Sequence, residues 1–304
     1  MSSLVALLLL AAGIGLVIAG AEAFLDGLLA SASRVGISAF AITVAISGFE
    51  LENLAAGIAA NARGLPGAAA GTFLGGTTFL ALGVAGLAAL IAPIQASLPG
   101  AVLVWTALGP VPVFALGLDG TLSRVDGALL VAWFAVALVG LIRAGRQLLE
   151  PEETEVRRRP FAWLLGGLAV LTAGGELLAE GIRGVVDRLG VSQTLLGNTV
   201  VAASVEGEEV ARVVAPSRRG RGDLALGNIT GTIVHFAAFN AGVIALVKPL
   251  ELDAATRHLH LPAALFATLV LCVALRLRSG LGRIAGAAFL ALYAAYIAAA
   301  IAAA

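Results

Sequence analysis

The chain has 304 residues, 60% of them hydrophobic and only 12% charged, about half the charged fraction of a soluble domain. Its formal net charge is zero and it holds one cysteine, Cys272. No charge excess points to nucleic acid, and an internal disulfide is excluded.

A spanning helix needs roughly 20 mostly apolar residues, and polar punctuation divides the chain into ten such segments. The first five are expected near 3–24, 38–62, 68–92, 99–118 and 126–148. Met1–Leu10 lacks a positive n-region, so the first segment is expected to be a permanent helix rather than a signal peptide. A charged linker over 150–160, with Arg157, Arg158 and Arg159, is expected on the cytoplasmic side. The second five helices are expected near 161–182, 192–216, 223–248, 261–277 and 283–303.

An internal repeat organises these segments. Gly20, Glu22, Asp26 and Gly27 recur as Gly174, Glu176, Glu180 and Gly181, and Arg34 and Ser38 recur as Arg188 and Ser192. The register then shifts by two residues and holds again. Thr43, Glu50 and Glu52 match Thr199, Glu206 and Glu208, while Gly64, Gly71 and Gly75 match Gly220, Gly227 and Gly231. The expected fold is therefore all-α integral membrane, with ten transmembrane helices as two inverted five-helix repeats. The first repeat is residues 1–149 and the second 161–304. An odd helix count makes the second copy enter the membrane from the opposite side, an architecture that places a transport site at the midplane. With both termini outside, thirteen of the 19 basic residues collect on the inner side. The positive-inside rule thus predicts N-out and C-out in a plasma (inner) membrane.

Most charges fall near helix ends, where long side chains reach the interface. Glu50 and Glu52 in the second helix and Glu206, Glu208 and Glu209 in the seventh do not. Each isolated charge at the midplane costs roughly 2.5–3.5 kcal/mol on the gentlest scale. Bound cations, protonation or basic partners must compensate. The nearest basic residues are Arg212, one turn below Glu209, and His235, so cations and protons are expected to do most of the work. Positions i and i+2 lie about 200° apart on a regular helix, so Glu50 and Glu52 can share a site only if the helix breaks, for which Gly48 and Gly207 offer places.

Hard oxygen ligands of this kind suit Ca²⁺, Mg²⁺ or Mn²⁺. The candidate metal ligands are Glu50, Glu52, Asn53, Glu206, Glu208 and Glu209, with Glu50, Glu206 and Glu209 as the inner set and Asn53 adjoining. The ordinary reading, carboxylates lining a wet crevice without moving ions, is the weaker one, because intramembrane ionisable residues are functional by default. Ser47, Thr77, Thr232 and His235 are candidates for the ion pathway. A membrane threonine equally often bonds its own helix. A lone histidine is more often a hydrogen-bonded core residue than a proton carrier.

These features resemble the cation/Ca²⁺ exchanger superfamily, the sodium/calcium exchanger-like membrane proteins. Two acidic elements at Gly20–Gly27 and Gly174–Gly181 look like that family's first and sixth helices. The stretch from Gly222 and Asp223 to Gly227, Asn228, Gly231 and Thr232 looks like its second signature region. The family's key glutamate falls on Asn53 in the first half and on Glu209 in the second. Its proline falls on Glu52 and Glu208, its serine on Glu50 and Glu206, and its threonine on Phe49 and Val205. Hydroxyls are exchanged for carboxylates.

The resemblance implies a secondary active antiporter. It would move a divalent cation, Ca²⁺ first and Mg²⁺ or Mn²⁺ as alternatives, against H⁺ or Na⁺ by alternating access. The competing readings are a carrier of a monovalent or organic cation on the same fold, and a non-transporting metal sensor. An enzyme is not expected, since no HExxH, no GxSxG with a partner histidine and no embedded GxGD is present. The expected partners are metal ions and the lipid bilayer. No cofactor beyond the transported cation, no nucleic acid and no protein partner is implied.

Overall fold

The computed structural model describes residues 3–48, 50–148, 159–186 and 207–303. Among them, eight helical stretches are long and apolar enough to cross a membrane. In chain order, α1 is Ser3–Val35, α2 Ala39–Ile46, α3 Leu51–Ala62, α4 Pro66–Ile91, α5 Gly100–Leu108, α6 Val111–Leu116 and α7 Arg124–Ala144. After the linker come α8 Pro160–Val186, α9 Gly207–Arg218, α10 Gly222–Val247, α11 Thr256–Leu277 and α12 Arg283–Ala303. Two-residue strands β1 (Thr121–Leu122) and β2 (Leu250–Glu251) pair antiparallel between helices.

Several expected boundaries move. The first helix continues to Val35 rather than ending near residue 24, which brings Asp26 inside it beside Glu22. The second is broken into α2 and α3. The fourth is interrupted at Gly109 and Pro110, where proline cannot donate to the helical ladder. The ninth starts at Thr256, five residues early. Of the seventh, residues 192–206 lie outside the described residues and Gly207–Arg218 is helical.

The chain forms two compact units, each built from both halves of the sequence. One contains residues 1–39 and 150–219, the other 40–149 and 220–304. In the first unit α1 and α8 pack antiparallel along facing glycine stripes. Gly13, Gly20 and Gly27 recur every second turn of α1. A Cβ on them would lie 2.5, 2.5 and 2.1 Å from the backbone nitrogens of Leu178, Leu171 and Leu164. Gly167, Gly174 and Gly181 meet Phe24, Val17 and Leu10 in the same way. The shift that carries Glu22 to Glu176 turns each contact of the first set into one of the second. A two-fold relation between these helices is thus written into their contacts. Small residues let the backbones approach closely where lipid supplies no hydrophobic drive.

The second unit shows the same kind of equivalence. Arg124 at the head of α7 donates to the Leu246 and Val247 carbonyls at 3.2 and 3.3 Å. Arg283 at the head of α12 donates to the Leu90 carbonyl at 3.3 Å. The Glu50-to-Glu206 shift carries Leu90 to Leu246. It also carries Ile94, bridged to Leu281, to Leu250, paired with Leu122. Likewise it carries the wide π-helical turn Phe79–Val84 of α4 to the one at His235–Asn240 of α10. Helices α4 and α10 form the centre of this unit: 72% and 83% of their apolar windows are buried within the protein, against 11–39% for the other candidate spans.

Candidate functional site

The first acidic motif sits at the interruption between α2 and α3. Helix α2 ends at Ile46, and Glu50 caps α3 with φ −95° and ψ 87°, outside helical geometry. Backbone groups at such a break lose their intrahelical partners, and in a membrane protein that is tolerated only inside protein or along a wet cavity. Gly48 permits the break to lie against α10. A Cβ there would stand 2.1 Å from Cβ of His235. Glu50 is buried, and its carboxylate accepts the Asn53 amide at 2.5 Å. Glu50 and Asn53 are thus hydrogen-bonded neighbours. Glu52 falls in α3, but its side chain lies outside the described residues.

The expected pathway residues divide. His235 is completely buried, and its Nδ1 lies 2.9 Å from the Gly231 carbonyl. A carbonyl can only accept, so Nδ1 carries a proton. The ring packs edge-on to Phe134 at 4.5 Å between centroids, with Phe239 beyond. This is a hydrogen-bonded core histidine that buttresses the break at Gly48. Ser47, also at the break, donates to its own-helix Val44 carbonyl at 3.4 Å and packs beside Gly231. Thr77 and Thr78 donate to Phe73 and Leu74 one turn back, at 2.7 and 2.9 Å, and so follow the local-bond reading. Thr232 does not. Its buried hydroxyl has no hydrogen-bond partner among the described residues.

The second motif lies in the first turn of the described part of α9, in the other unit. Glu208, Glu209 and Arg212 are all buried there. Arg212 is ion-paired to Glu208 at 3.2 Å and, more closely, to Glu209. The second oxygen of Glu208 accepts the Thr172 hydroxyl of α8 at 3.1 Å. The expectation that basic partners contribute little is corrected for this motif: one guanidinium serves both carboxylates. Spacings of three and four residues put these groups on one helix face, so Arg212 was legible in the sequence. Thr172 was not, because its partner lies 36 residues away. Glu206 lies outside the described residues.

Ionised, Glu208 and Glu209 carry two negative charges against one positive. Glu50 has an amide beside it. Each motif thus buries carboxylate oxygens, the donor type that hard cations prefer.

The family model for the sodium/calcium exchanger protein matches residues 5–143 and 159–302. The putative antiporter CaxA of Alkalimonas amylolytica is 29% identical over 88% of this chain and 89% of its own length. The inner membrane protein YrbG of Escherichia coli is 27% identical over 70% of each chain. The solved sodium-calcium exchanger NCX_Mj superposes with a TM-score of 0.85 over 98% of this chain and 99% of its own, at 23% identity, and so shares its fold.

Proposed function

The chain belongs to the sodium/calcium exchanger family, and from that premise we propose that it is a secondary active cation antiporter. It moves a divalent cation, Ca²⁺ in the first place and Mg²⁺ or Mn²⁺ as alternatives, against H⁺ or Na⁺ by alternating access. The observation that carries this reading is the burial of acidic side chains inside an exchanger-family chain, Glu50 at the break before α3 and Glu208 and Glu209 beside Arg212 in α9. A bare carboxylate is costly in such a setting, so cation binding and release are coupled to the state of the helices that bury it.

Glu50 and Glu209 are the primary ligands in this proposal. Asn53, Glu52 and Glu206 complete the set, and Thr232 offers a hydroxyl. Glu208 holds Arg212. Ser47 and His235 shape the break, and Thr77 bonds its own helix.

Ten helices arranged as two inverted repeats, 1–149 and 161–304 about the 150–160 linker, are supported by the repeat-related contacts of α1 with α8, of Arg124 and Arg283, and of the two strand-like bridges. The arginine distribution supports both termini outside. The name of the Escherichia coli relative supports an inner membrane.

A second reading is favoured by Arg212. A site whose carboxylates already share a guanidinium fits a carrier of monovalent or organic cations on the same fold. Proteoliposomes decide between them. The expected result is Ca²⁺ uptake driven by an outward Na⁺ or H⁺ gradient, with the effective gradient naming the coupling ion. Flux of monovalent or organic cations alone overturns the divalent assignment. Divalent binding without flux of any cation makes the protein a sensor.

A further inference from the structure

We propose that His260, Tyr296 and Thr78 form a proton-operated clasp. When His260 takes up a proton, Tyr296 turns its hydroxyl onto Thr78, fastens α12 to α4 and slows exchange. The effect on exchange rests on the antiporter reading, whereas the clasp itself does not.

The internal repeat makes the clasp visible. The shift that carries Arg124 to Arg283 also carries Phe134 to Tyr293 and Ala137 to Tyr296. The Glu50-to-Glu206 shift carries Phe79 to His235 and Thr78 to Val234. The ring pair of Phe134 with His235, 4.5 Å between centroids, is therefore the counterpart of Phe79 with Tyr293 at 5.1 Å. Beside these matched pairs the halves part. Helices α10 and α7 carry Val234 and Ala137, with no polar side-chain atom, where α4 and α12 carry Thr78 and Tyr296.

His260 is half-buried at the end of the π-helical turn Thr256–His260, and its Nδ1 lies 2.8 Å from the Tyr296 hydroxyl. The Thr78 side chain lies within hydrogen-bonding reach of the same hydroxyl. Thr78 is completely buried near the middle of α4, between the π-helical turns Gly71–Gly75 and Phe79–Val84. Its own O–H is committed to the Leu74 carbonyl at 2.9 Å, so Thr78 can accept from Tyr296 but not donate to it. Among the described residues, Tyr296 thus has one hydroxyl proton and two acceptors for it, His260 Nδ1 and Thr78 Oγ.

The charge of His260 makes the choice. In the neutral ring with its proton on Nε2, Nδ1 accepts the Tyr296 O–H. A proton from the aqueous phase taken up at Nδ1 turns that nitrogen into a donor. Tyr296 keeps its own proton and redirects it to Thr78. The chain of donors then runs from His260 through Tyr296 and Thr78 to the Leu74 carbonyl, and joins α11, α12 and α4. Histidine is the side chain whose charge changes near neutral pH. Asp253 acts on His260 electrostatically, and Arg257 and His258 share its turn. On α12, Tyr293 packs against Tyr296 with 6.0 Å between centroids. The Gly71–Gly75 turn of α4 carries no titratable side chain.

Thr78→Val is the decisive variant, because it installs the residue of the other half and leaves His260 and Tyr296 in place. The chain has three histidines, so the ¹⁵N resonances of His260 in the purified full chain are assigned by comparison with His260→Gln. Its Nδ1 is expected to change from bare acceptor to protonated donor between about pH 8 and pH 5. Thr78→Val should lower the proton affinity of His260 about threefold, the size of one interhelical hydrogen bond in a membrane. Thr78→Ser should restore it, and in a Tyr296→Phe background Thr78→Val should have no further effect. An unchanged proton affinity in Thr78→Val, or an Nδ1 protonated throughout, overturns the clasp. In liposomes, acidification should slow cation exchange less in Thr78→Val than in the wild type. Equal slowing overturns the role of the clasp in exchange. No cation flux in the wild type, with the threefold shift intact, removes the antiporter reading and keeps the clasp. Wild-type exchange without that shift does the reverse.

Discussion

The two acidic motifs occupy matching positions in the sequence and are held by different chemistry. In the first, the helix stops, Glu50 stands at the head of a new helix, and a neutral amide three residues on bonds its carboxylate. In the second, the position equivalent to Asn53 is Glu209, and a buried arginine three residues on takes the place of the amide's support. An amide leaves a carboxylate its full charge, whereas a guanidinium cancels it. Equivalent positions in an internal repeat therefore need not be equivalent in electrostatics.

The largest effect should come from removing that charge. Glu209→Gln should abolish divalent flux in proteoliposomes while the protein still folds, since a neutral amide is cheaper to bury than a carboxylate. Flux at the wild-type level would remove Glu209 from the ligand set and leave Glu50 as the working carboxylate.

Next in size is the break beside Glu50. In Gly48→Ala the new Cβ would stand 2.1 Å from His235 Cβ, so the ring or the break must move. Disturbing the support of a ligand typically costs 10–100-fold in metal affinity, and a loss of about tenfold is expected by titration calorimetry. Unchanged affinity would show that the geometry of the break does not set ligand position.

The helix pair α1–α8 is a contrasting region in which the two halves remain alike. Gly27→Ala would place a Cβ 2.1 Å from the Leu164 backbone nitrogen. Overpacking of this kind costs about 1–3 kcal/mol. The thermal midpoint in detergent should fall, and the repeat-equivalent Gly181→Ala should lower it comparably. Unequal losses would limit the two-fold relation to backbone course.

The smallest effect is expected outside the spans, at Asp253. The Thr256 backbone N–H, 2.7 Å from the carboxylate, and then the Thr256 hydroxyl hold its pKa below the ordinary carboxylate value. A depressed pKa in the folded state contributes stability above the unfolded value, and that contribution is lost as pH falls through the folded one. Asp253→Ala should cost about 1 kcal/mol at neutral pH, the usual size of a helix-capping bond. The difference from wild type should begin to shrink below about pH 4 and be lost as pH falls through the depressed folded value.

The sequence by itself determined that the chain is a membrane protein, because apolar length is a linear property, and its resemblance to the exchanger family rested on short motifs around Gly20–Gly27, Gly174–Gly181 and Gly222–Thr232. It also marked Glu50, Glu52, Asn53, Glu206, Glu208 and Glu209 as candidate ligands, with Arg212 the nearest basic residue to Glu209, since neighbours at three and four residues share a helix face. Only the tertiary structure decided what each of them touches. Thr172 reaches Glu208 from another helix, His235 closes over Gly48, and the glycines of α1 find those of α8. Composition could not assign the hydroxyls either: Thr77 bonds the turn beneath it, while Thr232, on an equally apolar helix, has no such partner among the described residues. Burial against a second helix depends on which faces meet, and periodicity along one chain carries no information about the face opposite.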